Sequence, residues 1–287
     1  MPDPFAPPAA GPDPVFDRPV FIVSPPRSGS SVLFETLAHS TDAFTVGGES
    51  HAVIEELAPL HPLSKEWESN RLTEQDADPA VLAVLRARFY RSLRDRDRAK
   101  PRGRVRMIEK TPKNALRLPF LVRAFPEALF LYLHRDPRAV IASMMEAWES
   151  GRFKTYAVPG WPGPLPWSLL LVPGWRELKG KPLSHVVAMQ WLATTRILLN
   201  DLGQLPPERR LVCRYDTFVT APDEEVARLC SAFGWRKTAA LGPRLDPSRH
   251  TVSPPEPEKW RRRAPAIDAV WPLLEEEAVR AEAFAAG

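Results

Sequence analysis

Two cysteines, Cys213 and Cys230, are all that the 287 residues contain. They build no disulfide framework, which favours a reducing cytoplasm over export. The six histidines and two cysteines show neither H-E-x-x-H nor C-x-x-C spacing, so no metal is expected. Apolar runs such as Leu169–Val172 are far too short to span a bilayer. Met1 to Pro14 is rich in proline, carries Asp3 and Asp13, and lacks the basic and apolar regions of a signal peptide. The excess of one charge sign is small too, with 39 Lys and Arg against 35 Asp and Glu. The net +4 is mild for a nucleic-acid binder, yet suits an enzyme that takes a multiply anionic nucleotide. The expectation is a cytoplasmic protein with no stable membrane insertion and no nucleic-acid partner.

What is present begins at Val20-Phe21-Ile22-Val23, a run that reads as a buried, parallel strand. Pro25-Pro26-Arg27-Ser28-Gly29-Ser30-Ser31 follows, then a helical pattern from Val32. Gly29 allows a tight turn that brings backbone close to a ligand. The hydroxyls of Ser30 and Ser31, with the free amides of the next helix turn, form an anion cradle. Arg27 adds forked donors suited to phosphate or sulfate. The stretch is no Walker A loop, because it has one glycine and no lysine.

A second strand, turn and helix start lies at Leu129 to Trp148. Asp136 is an N-cap and Pro137 occupies the first helical position. Arg135 therefore leaves the carboxyl end of a strand, where open α/β sheets bind ligands. Ser143 follows about two helical turns on, and the two can grip one phosphate. His134-Arg135-Asp136 imitates a kinase catalytic loop, but Ile141 stands where that loop needs asparagine.

Together these segments resemble the sulfotransferases that use 3′-phosphoadenosine 5′-phosphosulfate (PAPS), nearest to the bacterial relatives of the tyrosylprotein sulfotransferases. The resemblance implies that Arg27, Ser28, Gly29, Ser30 and Ser31 hold the 5′-phosphosulfate, and that Arg135 and Ser143 hold the 3′-phosphate. Gly48-Glu49-Ser50-His51 is similar to the family's segment bearing the catalytic base, which points to Glu49. Glu109-Lys110-Thr111-Pro112 resembles the segment whose lysine faces the sulfuryl group. Arg214-Tyr215-Asp216 and Lys259-Trp260 match later elements that bring Tyr215 and Lys259 to the nucleotide. The family's late serine corresponds to Ser248 or Ser253.

Transfer of an SO₃-like unit needs positioning and charge stabilisation. Arg27 and Lys110 could neutralise the leaving phosphate, where charge grows in the transition state. A base must take the acceptor proton. Glu49 would need its pKa raised by burial, whereas His51 is matched to neutral pH. The expected catalytic set is Glu49, Lys110, Arg27 and His51.

Strands near 20–24, 105–108, 129–133 and 210–214 alternate with helices near 30–38, 79–98, 114–124, 137–148, 184–202 and 222–233. This is a P-loop-like α/β domain over 18–287, with a central parallel sheet flanked by helices. Residues 1–17 read as a flexible tail. Residues 150–183 hold Trp161, Trp167 and Trp175 amid many prolines and glycines. They read as an acceptor-side lid, with a homodimer contact or a satellite core cluster as alternatives. The expected acceptor is a small-molecule or lipid hydroxyl, with protein tyrosine as the alternative. A small-metabolite kinase and a non-catalytic nucleotide-binding protein are the readings from other classes.

Overall fold

A computed structural model describes residues 12–163, 165–242 and 245–287. The fold is α/β, as expected. Four parallel strands, β1 (Val20–Val23), β2 (Ile108–Lys110), β3 (Leu129–His134) and β6 (Arg210–Arg214), lie in the order β2-β1-β3-β6. Val20 pairs with both Ile108 and Leu129, and Phe130 pairs with Arg210. Every residue of β1 and β3 is buried, which is why both read as unbroken apolar runs rather than alternating ones.

Successive side chains leave the sheet on opposite faces. Phe21, Val23, Phe130 and Tyr132 pack with α3 (Pro79–Ser92), α4 (Leu118–Ala124), α6 (Leu183–Gln204) and α10 (Glu275–Ala286). Val20, Ile22, Leu131 and Leu133 pack with α1 (Ser30–Ser40), α7 (Tyr215–Thr220) and α8 (Pro222–Phe233). From β1 the chain crosses to β2 on one side, then returns over β1 to β3 on the other. The strand order thus reverses between β1 and β3, and the crevice at their carboxyl ends is where such sheets bind ligands.

A third apolar cluster lies beside the sheet, built on α5 (Pro137–Glu149), α6 and the antiparallel pair β4 (Lys154–Tyr156) and β5 (Trp167–Ser168). It contains the tryptophans of residues 150–183. Trp167 and Trp175 are buried, and Trp161 meets Trp167 edge to face at 4.9 Å between ring centroids. Gln190 ties the cluster together: its amide accepts from Trp148 Nε1 (3.0 Å) and donates to the carbonyls of Ser168 and Leu170. These three indole rings are core, and none of them lines the cleft described below.

Several boundaries differ from expectation: the strand expected over 105–108 is β2, Ile108–Lys110, and the helix expected over 114–124 opens as a 3-10 turn, Pro112–Leu116, with α4 starting only at Leu118. Of the expected tail, residues 1–11 lie outside the described residues, but 12–17 are fixed to the body. Phe16 is fully buried and bridges Val105, and Asp13 pairs with Arg86 at 2.8 Å. The helix expected over 79–98 stops at Ser92, because Arg94 exchanges two backbone hydrogen bonds of 2.8 Å with Thr45.

Candidate active site

The carboxyl ends of all four parallel strands open into one cleft of about 1350 Å³. The loop after β1 supplies Arg27, Gly29, Ser30 and Ser31, and β3 is followed by Arg135. Lys110 ends β2, and Tyr215 follows β6.

Gly29 caps α1 at φ 97°, and a Cβ there would stand 2.4 Å from the Tyr215 ring. Only glycine fits that turn over that ring. The guanidinium of Arg135 lies 4.2 Å from the other ring contact, the Tyr215 centroid, and its Nη1 donates to the carbonyl of Arg27 at 3.2 Å. Arg27 takes a left-handed backbone, φ 69°, a strain of about 1–3 kcal/mol for a non-glycine residue. Its Nε donates to Ser143 Oγ at 3.3 Å and its Nη1 to the carbonyl of His250 at 2.9 Å. Burial, opposed by Glu146 and reinforced by Arg135, lowers the Arg27 pKa to about 10, so it stays charged at neutral pH. The two motifs thus touch directly, through Arg135 to the first loop and through Arg27 to Ser143. Ser28 is turned inward, donating to the carbonyl of Pro25 at 2.8 Å.

Lys110, 2% exposed, donates to Ser31 Oγ at 2.9 Å and to Glu49 Oε1 at 2.5 Å. His51, the first residue of α2 (His51–Glu55), meets the other carboxylate oxygen of Glu49 at 2.5 Å through Nε2. Burial alone would raise the Glu49 pKa. The His51 hydrogen bond and the charges of Lys110 and His51 outweigh it and hold the carboxyl well below its usual range. The expected upward shift does not occur, because burial here comes with two donors. In this state Glu49 is an ionised carboxylate gripped on both oxygens.

A polar network holds this geometry. Ser50 donates from Oγ to buried Glu109 (2.7 Å) and from its backbone to Thr111 Oγ1 (2.7 Å), while Asn114 donates to Glu109 at 2.6 Å. Burial pushes the Glu109 pKa up, against these hydrogen bonds. At the far end of α2, Glu55 accepts from Lys113 (2.8 Å), Arg117 (2.5 Å) and Tyr156 (2.8 Å). Helix α2 is therefore clamped at both ends to the segment after β2, which fixes Glu49 and His51 against Lys110.

Lys259 does not contact Arg135 or Ser143. It pairs with Glu146 on α5 at 3.2 Å, one helical turn beyond Ser143, and Ser253 hydrogen-bonds the same carboxylate. Both candidate serines, Ser248 and Ser253, line the cleft, and Ser253 is committed to Glu146. Phe153, Thr155, Tyr156, Leu169 and Leu170 form an apolar wall. The segment 150–183 therefore reaches the cleft through these residues. His250, Glu146 and Phe153 were not signalled by any motif; Glu146 sits on the expected helix α5, whereas His250 and Phe153 arrive from segments without local pattern.

The switch point of this α/β sheet thus gathers two arginines, a lysine and an ionised carboxylate around one cleft. Residues 19–161 match the family model described as the sulfotransferase family. A putative protein-tyrosine sulfotransferase of Caenorhabditis briggsae is 30% identical over 134 residues, which is 46% of this chain and 44% of that protein. The chain thus matches less than half the length of that relative. Among solved structures, a sulfotransferase from Alicyclobacillus acidocaldarius is 17% identical, with a TM-score of 0.48 over 90% of this chain and 96% of that one. The sulfotransferase domain of the Synechococcus PCC 7002 olefin synthase is 20% identical, with a TM-score of 0.47 over 87% and 90%.

Proposed function

We propose that the protein transfers the sulfuryl group of PAPS to a hydroxyl acceptor, releasing adenosine 3′,5′-bisphosphate (PAP). The observation that carries this reading is the hydrogen bond from Arg135 to the Arg27 carbonyl, 108 residues apart in sequence. It brings the two segments to one cleft of about 1350 Å³, which supports their binding a single nucleotide with phosphates at both ends. The match of residues 19–161 to the sulfotransferase family model supports sulfuryl rather than phosphoryl transfer.

In this mechanism the loop from Ser28 to Ser31 and Arg27 receive the 5′-phosphosulfate. Arg135 and Ser143 receive the 3′-phosphate, and Tyr215 packs between the loops. Lys110 turns from Glu49 toward the bridging oxygen, where negative charge grows as the sulfur–oxygen bond to phosphate breaks. That movement removes a cation from Glu49 and raises its basicity. The new sulfur–oxygen bond forms to the acceptor, Glu49 takes the hydroxyl proton, and His51 holds the carboxylate in place. A base formed only when Lys110 has a phosphate to bind protects the co-substrate from water.

The apolar wall suits a small-molecule or lipid alcohol or phenol. A peptidyl tyrosine is the second reading, favoured by the likeness to the putative protein-tyrosine sulfotransferase. The test is incubation with sulfur-labelled PAPS and a panel of phenols, hydroxylated lipids and tyrosine peptides, with and without a magnesium chelator. Label transfer that persists in chelator supports the reading. No labelled product, together with magnesium-dependent transfer from labelled ATP, would replace it with a kinase.

A further inference from the structure

Glu146 is a carboxylate in a cleft read above as a seat for phosphates. It stands on α5 three residues beyond Ser143, and side chains at that spacing share one helix face, with Cβ atoms about 5–6 Å apart. Both residues line the cleft, as do Arg27, Arg135 and Lys259. Ser143 Oγ accepts from Arg27 Nε at 3.3 Å, and the charge of Glu146 is the largest of those that act on Arg27.

This carboxylate holds Lys259. The ammonium donates to Oε1 at 3.2 Å and to Oε2 at 3.4 Å, and Ser253 hydrogen-bonds Oε1. Both side chains of the pair are 26% exposed, so it is neither diluted in bulk water nor locked in the core. The backbone at Lys259 does not depend on it. Lys259–Arg263 is a single turn that leads into α9 (Ala264–Asp268). The Arg138 guanidinium lies 5.2 Å from the Trp260 ring centroid, and Arg263 Nη1 donates to Glu149 at 2.9 Å. Arg138 and Glu149 belong to α5, as Glu146 does. The turn is thus fastened to α5 at two further points, and the flexible lysine stem can swing while its backbone stays.

A phosphate on Arg135 and Ser143 would lie within one helical turn of the Glu146 carboxylate, like charge beside like charge. Lys259 can serve either anion, and its three donors are divided between them. We infer that Glu146 is a competing counter-ion, which draws Lys259 away from the 3′-phosphate and so sets how tightly the nucleotide is held. This rests on the PAPS reading and deepens it. The competition weakens PAPS and PAP alike, since both carry the 3′-phosphate. It therefore leaves the chemical step untouched and acts on retention of the product, whose release limits turnover in many enzymes. Removing the carboxylate should tighten the nucleotide, the reverse of deleting a binding residue.

The test is calorimetric titration of PAP and 5′-AMP into wild type, Glu146→Gln and the double variant Glu146→Gln, Lys259→Ala. Glu146→Gln keeps the shape of the side chain and removes its charge. PAP binding should tighten by about three- to tenfold, with PAP dissociation in stopped flow slowed to match. 5′-AMP lacks the 3′-phosphate and should bind as it does to wild type, which also reports that the variant is folded. Adding Lys259→Ala should abolish the gain. Weaker PAP binding by Glu146→Gln would make Glu146 a prop that aims Lys259, and unchanged binding would make the pair inert. A gain shared by 5′-AMP, or kept without Lys259, would be a general field effect. Each of these results overturns the inference while wild type still prefers PAP over 5′-AMP. A wild type without that preference would overturn the PAPS reading and the inference together.

Discussion

Lys110 Nζ and Glu49 Oε1 stand 2.5 Å apart, at the end of β2 and just before α2 respectively. A buried ammonium and a carboxylate that neutralise each other at rest become, when a phosphate draws the lysine away, an electrophilic partner and a base. This pair is the centre of the chemistry proposed above.

Glu49→Gln should therefore lower kcat by about 10²–10⁴-fold, the usual worth of a general base, and leave PAP affinity within a few-fold. Lys110→Ala should lower kcat comparably. It also strips Glu49 of its charge partner, so the double variant should lose far less than the product of the two single losses. Steady-state kinetics with a fixed acceptor checks both. Full additivity would mean that the two groups act independently.

Gly29→Ala should abolish PAP binding. The new methyl meets the Tyr215 ring and the residue must hold φ 97°, a strain of about 1–3 kcal/mol. Adding Tyr215→Ala relieves the contact and not the dihedral angle, so binding should return only in part. Calorimetry on both variants decides this, and full recovery would show that the ring contact alone matters.

Glu55→Gln should destabilise the fold by about 3 kcal/mol at pH 7, because it strands Lys113 and Arg117 in a buried cluster. Burial raises the Glu55 pKa, but Arg117 and Lys113 override it and lower the group from 4.5 to about 2. A carboxyl depressed in the folded state stabilises fully above its unfolded value and loses that stabilisation as pH falls toward its folded one. The gap between wild type and variant should thus be widest above pH 4.5 and shrink between pH 4.5 and about 2. Urea unfolding across that range measures it. A gap independent of pH would place the effect in packing rather than charge.

Trp167→Ala should cost about 3–5 kcal/mol through the cavity it leaves, since the ring is fully buried among three other indoles. Phe153→Ala should leave stability nearly unchanged, weaken the seat of Arg27 and raise acceptor KM. Thermal unfolding and kinetics separate the two. An acceptor defect confined to Trp167→Ala would restore that tryptophan to a lid.

These contrasts mark what was legible in the chain. The buried strands β1 and β3, the Asp136 cap with Pro137 behind it, and the extents of α6 and α8 came from local signals: apolar runs, capping residues and periodicity. Arg27, Arg135 and Lys110 could be placed because each sits at the end of such a run. The tryptophans could not be placed, since a Pro- and Gly-rich stretch reads alike whether it covers a ligand or fills a core. Phe16 packs under Val105 and Glu55 is clamped by Lys113, Arg117 and Tyr156, contacts that span long sequence distances and leave no local trace. Nor does any pattern announce that Glu49 is depressed rather than raised, because the sign depends on which donors burial brings along.

The most direct test is calorimetric titration of wild type and Arg135→Ala with PAP, 5′-AMP and ATP. The account predicts tight PAP binding by the wild type, much weaker binding of 5′-AMP, and loss of the PAP preference in Arg135→Ala. Equal affinity for PAP and 5′-AMP, or a preference for ATP, would mean that the Arg135 corner is no 3′-phosphate site and would contradict the account at its root.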